Sequence, residues 1–138
     1  WYLRLWGQFA AAGLLKRTDL IGYRNHPVYI RGSRHTPLNP EAVRDAMATL
    51  MDLLKGEESA AVRAILGHFF WGYIHPYMDG NGRIGRFLMN AMLSSGGYGW
   101  VVIPMQRREE DMLALEQASI NNDITPFASF IKSLMGEI

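Results

Sequence analysis

A helical period runs up to Ile74 and resumes at Ile84, and the residues around that break, His75 to Arg86 (HPYMDGNGRIGR), rule out one continuous helix. Pro76 disfavours helical geometry at His75, and Gly80 and Gly82 suit a tight turn. The chain must therefore leave one helix and enter another within a few residues. That link also concentrates chemistry: a possible base, a carboxylate, a glycine-rich turn and two arginines. Glycines let backbone N–H groups approach an anion, and a helix starting just after them adds its positive end. Arg83 and Arg86 are three apart and share one face of the first turn. Cations there oppose the helix dipole, at a cost of about 0.3–1 kcal/mol each. No Asp or Glu occurs between Gly80 and Arg108, whereas Arg83, Arg86, Arg107 and Arg108 do. A phosphate-sized anion would resolve that imbalance.

The remaining pattern is helical. Asn39-Pro40-Glu41 reads as N-cap, proline at the first helical position and first-turn acid. Val43, Met47, Leu50 and Leu54 follow at helical spacing, and Gly56 ends that helix. A second helix is expected from about 58 to 74, with Val62, Ile65, Leu66, Phe69 and Phe70 as its core face. From Arg83 onward, Ile84, Phe87, Leu88, Ala91 and Met92 predict a third, ending at Gly96-Gly97. Residues 107–121 predict a fourth, with Met112, Leu115 and Ala118 inward. Thr125-Pro126 repeats the cap-plus-proline start, for a last helix from Phe127 to about Met135. Only 26–37 departs: Val28, Tyr29, Ile30 and Arg31 favour an extended strand that Gly32-Ser33 can turn back. Prolines at both ends suit an edge hairpin. The expected fold is all-α, a helical bundle with one small β-hairpin.

At 138 residues the chain is one domain able to bury a core. Its hydrophobic content of 49% against 20% charged residues fits a globular protein rather than a disordered one. A net charge of +1 gives no global field for nucleic acid or an anionic membrane. Without cysteine there is no disulfide and no thiol catalysis. No run of 18 apolar residues and no signal-peptide pattern occurs. A cytoplasmic location is the expectation. The chain starts at Trp1 without Met, so a preceding segment is expected, and the apolar helix 1–15 would continue it.

Two familiar phosphate fingerprints fail on context. Gly80, Gly82 and Gly85 spell GxGxxG, but helical period precedes them and no acid follows at the dinucleotide spacing. Gly80 to Phe87 nearly spells a P-loop, but Arg86 and Phe87 replace its Lys and Ser/Thr.

The twelve residues resemble the HPFxDGNGRxxR signature of the Fic domain family, with Tyr77 replacing phenylalanine. Tyr23-Arg24, Val28-Tyr29-Ile30, Gly32-Ser33 and His35 resemble that family's flap. Leu115-Glu116 and Thr125-Pro126-Phe127 resemble its closing helices. The likeness covers about residues 20–132, within a single domain of 1–138. It implies a protein adenylyltransferase that moves AMP from Mg²⁺-bound ATP to a Ser, Thr or Tyr hydroxyl of a target protein. His75 would be the base, as an imidazole that titrates near ~6.5 can be at neutral pH. Asp79 would hold Mg²⁺. Gly80, Asn81 and Gly82 would cradle phosphates through backbone N–H groups, and Arg83 and Arg86 would bind the outer phosphates. The flap residues Val28, Tyr29, Ile30 and Arg31 would dock the target.

Other readings stand beside these. The same fold supports hydrolytic removal of AMP, and a peptide-binding module without chemistry is the alternative of another class. His68, one helical face from His75, is expected to be a satisfied core histidine, and Asn90 a packing residue. His26 and His35 carry no assigned role. Where many family members have a tyrosine pair near the adenine, this chain has Asp111 and Met112, which leaves the nucleotide base open. Resembling proteins are often restrained by a glutamate that pairs with the second signature arginine, here Arg86. Ser133 to Glu137 matches that inhibitory pattern only loosely. A segment upstream of residue 1, or a separate antitoxin-like protein, is the expected inhibitor, and a homo-oligomer stays open.

Overall fold

The computed structural model describes residues 22–136. Expectations for the apolar stretch 1–15, and for Glu137, fall outside the described residues. Within them the fold is all-α. Helix α1, Pro40–Gly56, starts at Asn39 with proline in its first turn and buries Val43, Met47 and Leu50. Helix α2 spans Ala60–Ile74, and the hydroxyl of its N-cap Ser59 accepts the Val62 N–H. Helix α3 spans Asn81–Ser95. A 3-10 turn, Met105–Arg107, leads into α4, Arg108–Asn121, whose acidic first turn complements the helix dipole. Helix α5, Thr125–Met135, closes the fold with Pro126 in its first turn. No described helix is long and apolar enough to cross a membrane.

The antiparallel pair α2–α3 is central because both helices supply two cores. One core joins Ala64, Phe69, Met89 and Leu93 to Ala114, Ala118, Phe127 and Ile131 of α4 and α5. The other joins Trp71, Ile74 and Ile84 to Val43, Met47 and Leu50 of α1. Such apolar burial contributes about 25 cal/mol per Å². Asn90 fastens the return after α3: its amide donates to the Val101 carbonyl at 2.9 Å, and its oxygen accepts the Val101 N–H at 2.6 Å.

Two expectations are corrected. The inward faces of α2, α3 and α4 are displaced in part: Phe69, Ile84 and Ala118 are buried as expected, but Val62 (41%), Phe70 (37%), Phe87 (56%) and Met112 (44%) are exposed, while Gly67, Trp71, Gly85 and Asp111 are buried. Small residues explain the α2–α3 shift. A Cβ on Gly85 would stand 3.1 Å from His68 Nδ1, and one on Gly67 would stand 2.7 Å from Met92 Cε. The helices approach along these glycines, which moves the bulky neighbours outward.

The hairpin is not formed, for the described residues contain no strand. Val28–Ile30 carry no regular secondary structure, and a turn at Arg31-Gly32 brings the Ser33 N–H to the Ile30 carbonyl at 3.1 Å. Beyond the turn the chain does not run back beside Val28. Ser33 and Arg34 are held by Glu116 and His35 by α2, so no second strand is available for pairing.

Candidate active site

His75 caps α2 in the left-handed conformation, φ 54° and ψ 63°, and its N–H still donates to the Trp71 carbonyl at 2.8 Å. A non-glycine residue at positive φ is held there by its surroundings. Its ring Nδ1 lies 3.3 Å from the Gly72 carbonyl, which can only accept. The proton therefore sits on Nδ1, and Nε2 carries the lone pair. Burial pulls the imidazole pKa below its ordinary value, and the nearby Arg24 and His35 add to that effect. The ring is thus kept neutral and basic at Nε2.

Gly80 enters α3 at φ 78°, a conformation that favours glycine, and no side chain caps the helix start. With no side-chain cap, the start of α3 is the kind of helix end whose first-turn N–H groups can meet a ligand anion. Asn81 is 2% exposed and closes the link on itself. Its Oδ1 accepts the Tyr77 N–H at 2.9 Å, and its Nδ2 donates to the Tyr77 carbonyl at 2.7 Å. Asp79 is exposed, with Oδ1 accepting the Gly80 N–H at 2.8 Å. Arg83 is exposed on the first turn. The Arg86 guanidinium folds back over that turn, 3.2 Å from where a Cβ on Gly82 would stand. Among the described residues no carboxylate pairs with it. Burial, and then the charge of Arg108, lower its pKa.

A cavity of about 160 Å³ gathers His75, Asn81, Gly82 and Arg86 with Asp111 and Met112 of α4. Asp79 and Arg83 are not on its lining. His68 also lines it, buried and stacked on Phe127 at 5.4 Å, with burial drawing its pKa down to about 4. Asp111 is 6% exposed, its Oδ1 has no hydrogen-bond partner, and burial pushes its pKa up to about 6. Its environment did not show in the sequence, where it reads as one of three acids opening α4.

The 28–34 segment borders the same cavity through Ile30 and Ser33. Tyr29 is 80% exposed. Glu116 tethers the segment: it accepts the Ser33 hydroxyl and, at 2.8 Å, the Arg34 N–H. The Ser33 hydrogen bond, first of all, holds the Glu116 pKa below the usual carboxylate value. His35 anchors the far end by stacking on Tyr73 at 4.0 Å, with Nε2 2.9 Å from the Tyr73 carbonyl. Arg24, 3% exposed, bonds to carbonyls on both sides of the break at His75. Its position just before the 28–34 segment gave no hint of that reach.

A family model described as the Fic/DOC family matches residues 7–93. Protein adenylyltransferase Fic of Drosophila willistoni is 38% identical over 113 residues, which are 79% of this chain and 22% of that protein. Protein adenylyltransferase fic-1 of Caenorhabditis elegans is 31% identical over 112 residues, 78% of this chain and 22% of that protein. The chain thus spans under a quarter of these relatives. A Fic-domain-containing signaling protein from Bacteroides thetaiotaomicron superposes with a TM-score of 0.74 at 29% identity, covering 82% of this chain and 50% of that one. Fic-1 from C. elegans superposes at 0.72 and 27% identity, covering 88% and 37%.

Proposed function

The chain belongs to the Fic/DOC family, and from that premise we propose that it is a protein adenylyltransferase, with residues 1–138 forming one Fic-type domain. The observation that carries the reading is the single cavity lined by His75, Asn81, Gly82 and Arg86. A base and an anion-binding helix start border one space there, as attack on a phosphoanhydride requires.

The substrates are ATP and a Ser, Thr or Tyr hydroxyl of a second protein. The hydroxyl oxygen forms a bond to the α-phosphorus, the bond from that phosphorus to the bridging oxygen breaks, and pyrophosphate leaves with the electron pair. His75 Nε2 takes the hydroxyl proton. The N–H groups of 80–82 and the Arg83 and Arg86 guanidinium groups hold the phosphates. In-line geometry, rather than covalent chemistry by the protein, is what such a site supplies.

Mg²⁺ fits this donor set. Among the described residues no three His, Asp or Glu side chains gather into a cage, and Asp79 offers a carboxylate beside the phosphate turn. Mg²⁺ is usually held by one or two carboxylates plus substrate phosphates. When bound it would neutralise charge on the phosphate oxygens.

The target docks along Val28, Tyr29, Ile30 and Arg31 by strand addition, to which a segment outside any helix and with no strand beside it among the described residues is suited. An inhibitory carboxylate, from a segment upstream or from an antitoxin-like partner, would pair with Arg86. The test is incubation with α-labelled ATP, Mg²⁺ and a protein lysate, wild type beside His75→Ala. Label on protein in the wild type alone supports the reading, and equal label in both removes it.

A further inference from the structure

Arg24 is buried and makes no ion pair among the described residues, yet its hydrogen bonds converge on one place. Its backbone N–H donates to the Pro76 carbonyl at 2.8 Å. Its Nε donates to the His75 carbonyl at 2.6 Å, and one terminal nitrogen reaches the Ile74 carbonyl at 3.2 Å. Three successive carbonyls, 74 to 76, therefore end on one residue that lies about fifty positions away in sequence. The remaining bonds go to the His26 carbonyl at 3.1 Å and the Leu38 carbonyl, one on each side of the docking segment.

This arrangement has two consequences. The last carbonyls of α2 would otherwise be unpaired at a buried helix end, where each lost partner is costly. The left-handed backbone of His75 also needs an external constraint, because an ordinary side chain does not favour φ 54°. A planar guanidinium whose donors lie in fixed directions satisfies several carbonyls at once and sets their relative orientation. A lysine ammonium, a point charge on a flexible stem, cannot reproduce that fork.

We propose that Arg24 is a positioning residue for His75: its guanidinium fixes the turn that aims the imidazole into the cavity and locks that turn to both ends of the docking segment. The proposal rests on His75 being the base, as above. The cation also bears on the ring's titration, with His35 acting in the same direction and Asp79 in the opposite one.

The experiment compares Arg24→Lys, which keeps the charge and loses the fork, with Arg24→Gln, which keeps some donors and loses the charge. The His75 titration is followed by NMR on ¹³C-histidine-labelled protein, assigned with His75→Ala and without nucleotide or Mg²⁺. Arg24→Gln is expected to move the His75 titration to higher pH, and Arg24→Lys to leave it in place. Both variants are expected to lower kcat for AMP transfer by ~10²-fold, as displacement of a reacting group by about 1 Å does, with the KM for ATP unchanged. If Arg24→Gln does not fold, Arg24→Lys alone decides through the split between kcat and KM. Wild-type titration together with wild-type kcat in a folded variant overturns the proposal. Transfer that survives in His75→Ala would instead overturn the base assignment, while the NMR titration still reports on Arg24.

Discussion

His68 on α2 and Asp111 on α4 line one cavity, and burial shifts their titrations past each other, His68 down to about 4 and Asp111 up to about 6. The two shifts oppose each other in stability. A histidine with a lowered folded pKa contributes stability above 6.5 that is lost as pH falls toward 4. A carboxylic acid with a raised folded pKa costs stability above 6, and that cost is relieved as pH falls toward 3.8. Each is worth at most about 3 kcal/mol. The pair's contribution is therefore expected to be nearly flat between pH 4 and 6.5. Asp111→Asn should raise stability at neutral pH and expose a steep acid loss from His68. Urea melts across pH 4–7.5 check this, and parallel slopes for variant and wild type would contradict it.

His75→Ala is expected to lower AMP transfer ~10²–10⁴-fold, as removal of a general base does, with ATP affinity nearly unchanged. Because burial lowers the His75 pKa, wild-type kcat/KM should hold into mildly acidic buffer and fall only below the ordinary imidazole range. A pH–rate profile with calorimetric ATP binding reads both.

Gly82→Ala places a methyl group 3.2 Å from an Arg86 nitrogen. That guanidinium ends a flexible side chain, so the fold is expected to survive with a stability change below about 1 kcal/mol. Displacing the cation from the helix start should weaken ATP binding by about tenfold, near the value of one charge-assisted hydrogen bond. Thermal melting and ATP titration separate the two effects.

Asp79→Ala should raise the Mg²⁺ concentration needed for half-maximal ATP binding, and excess Mg²⁺ should partly restore it. ATP affinity without Mg²⁺ should change little. Coincident Mg²⁺ titrations would remove Asp79 from the metal site.

Glu116→Ala deletes the acceptor of Ser33 and Arg34. It is expected to raise the KM for the protein target several-fold while the KM for ATP stays within a factor of two, about 0.4 kcal/mol. Ile30→Pro should do the same by removing a backbone donor from the docking segment.

The helix boundaries were legible because they are written in local chemistry. Asn39-Pro40, Gly56 and Gly96 act within one turn of themselves, whereas Thr125, read as a cap, is the first residue of α5 and Ile124 stands at its N-cap. The phosphate turn was legible for a related reason, since its residues are contiguous. What was missed depends on distant partners. Arg24 gains its role from carbonyls about fifty residues away. Asp111 is buried because α4 packs against α2 and α5, and Val28–Arg31 stays unpaired because Glu116 captures the returning chain. The inward faces of α2 and α3 were misjudged where Gly67 and Gly85, which a hydrophobic pattern passes over, set the contact.

Because α2 and α3 each feed both cores, both ends of the link from His75 to Gly80 are fixed by both. The His75 and Tyr77 amides, which donate to the Trp71 carbonyl and to Asn81, should exchange with deuterium almost as slowly as the deepest core, whereas the 28–34 segment, held by side-chain tethers, should exchange early. On the proposed reading, the reaction is thus divided between two stability regimes. The nucleotide end would be built into the cooperative unit, and the partner end would hang from it by a few replaceable bonds. Sequence drift in the segment would then change which hydroxyl is presented while the phosphate chemistry stays intact.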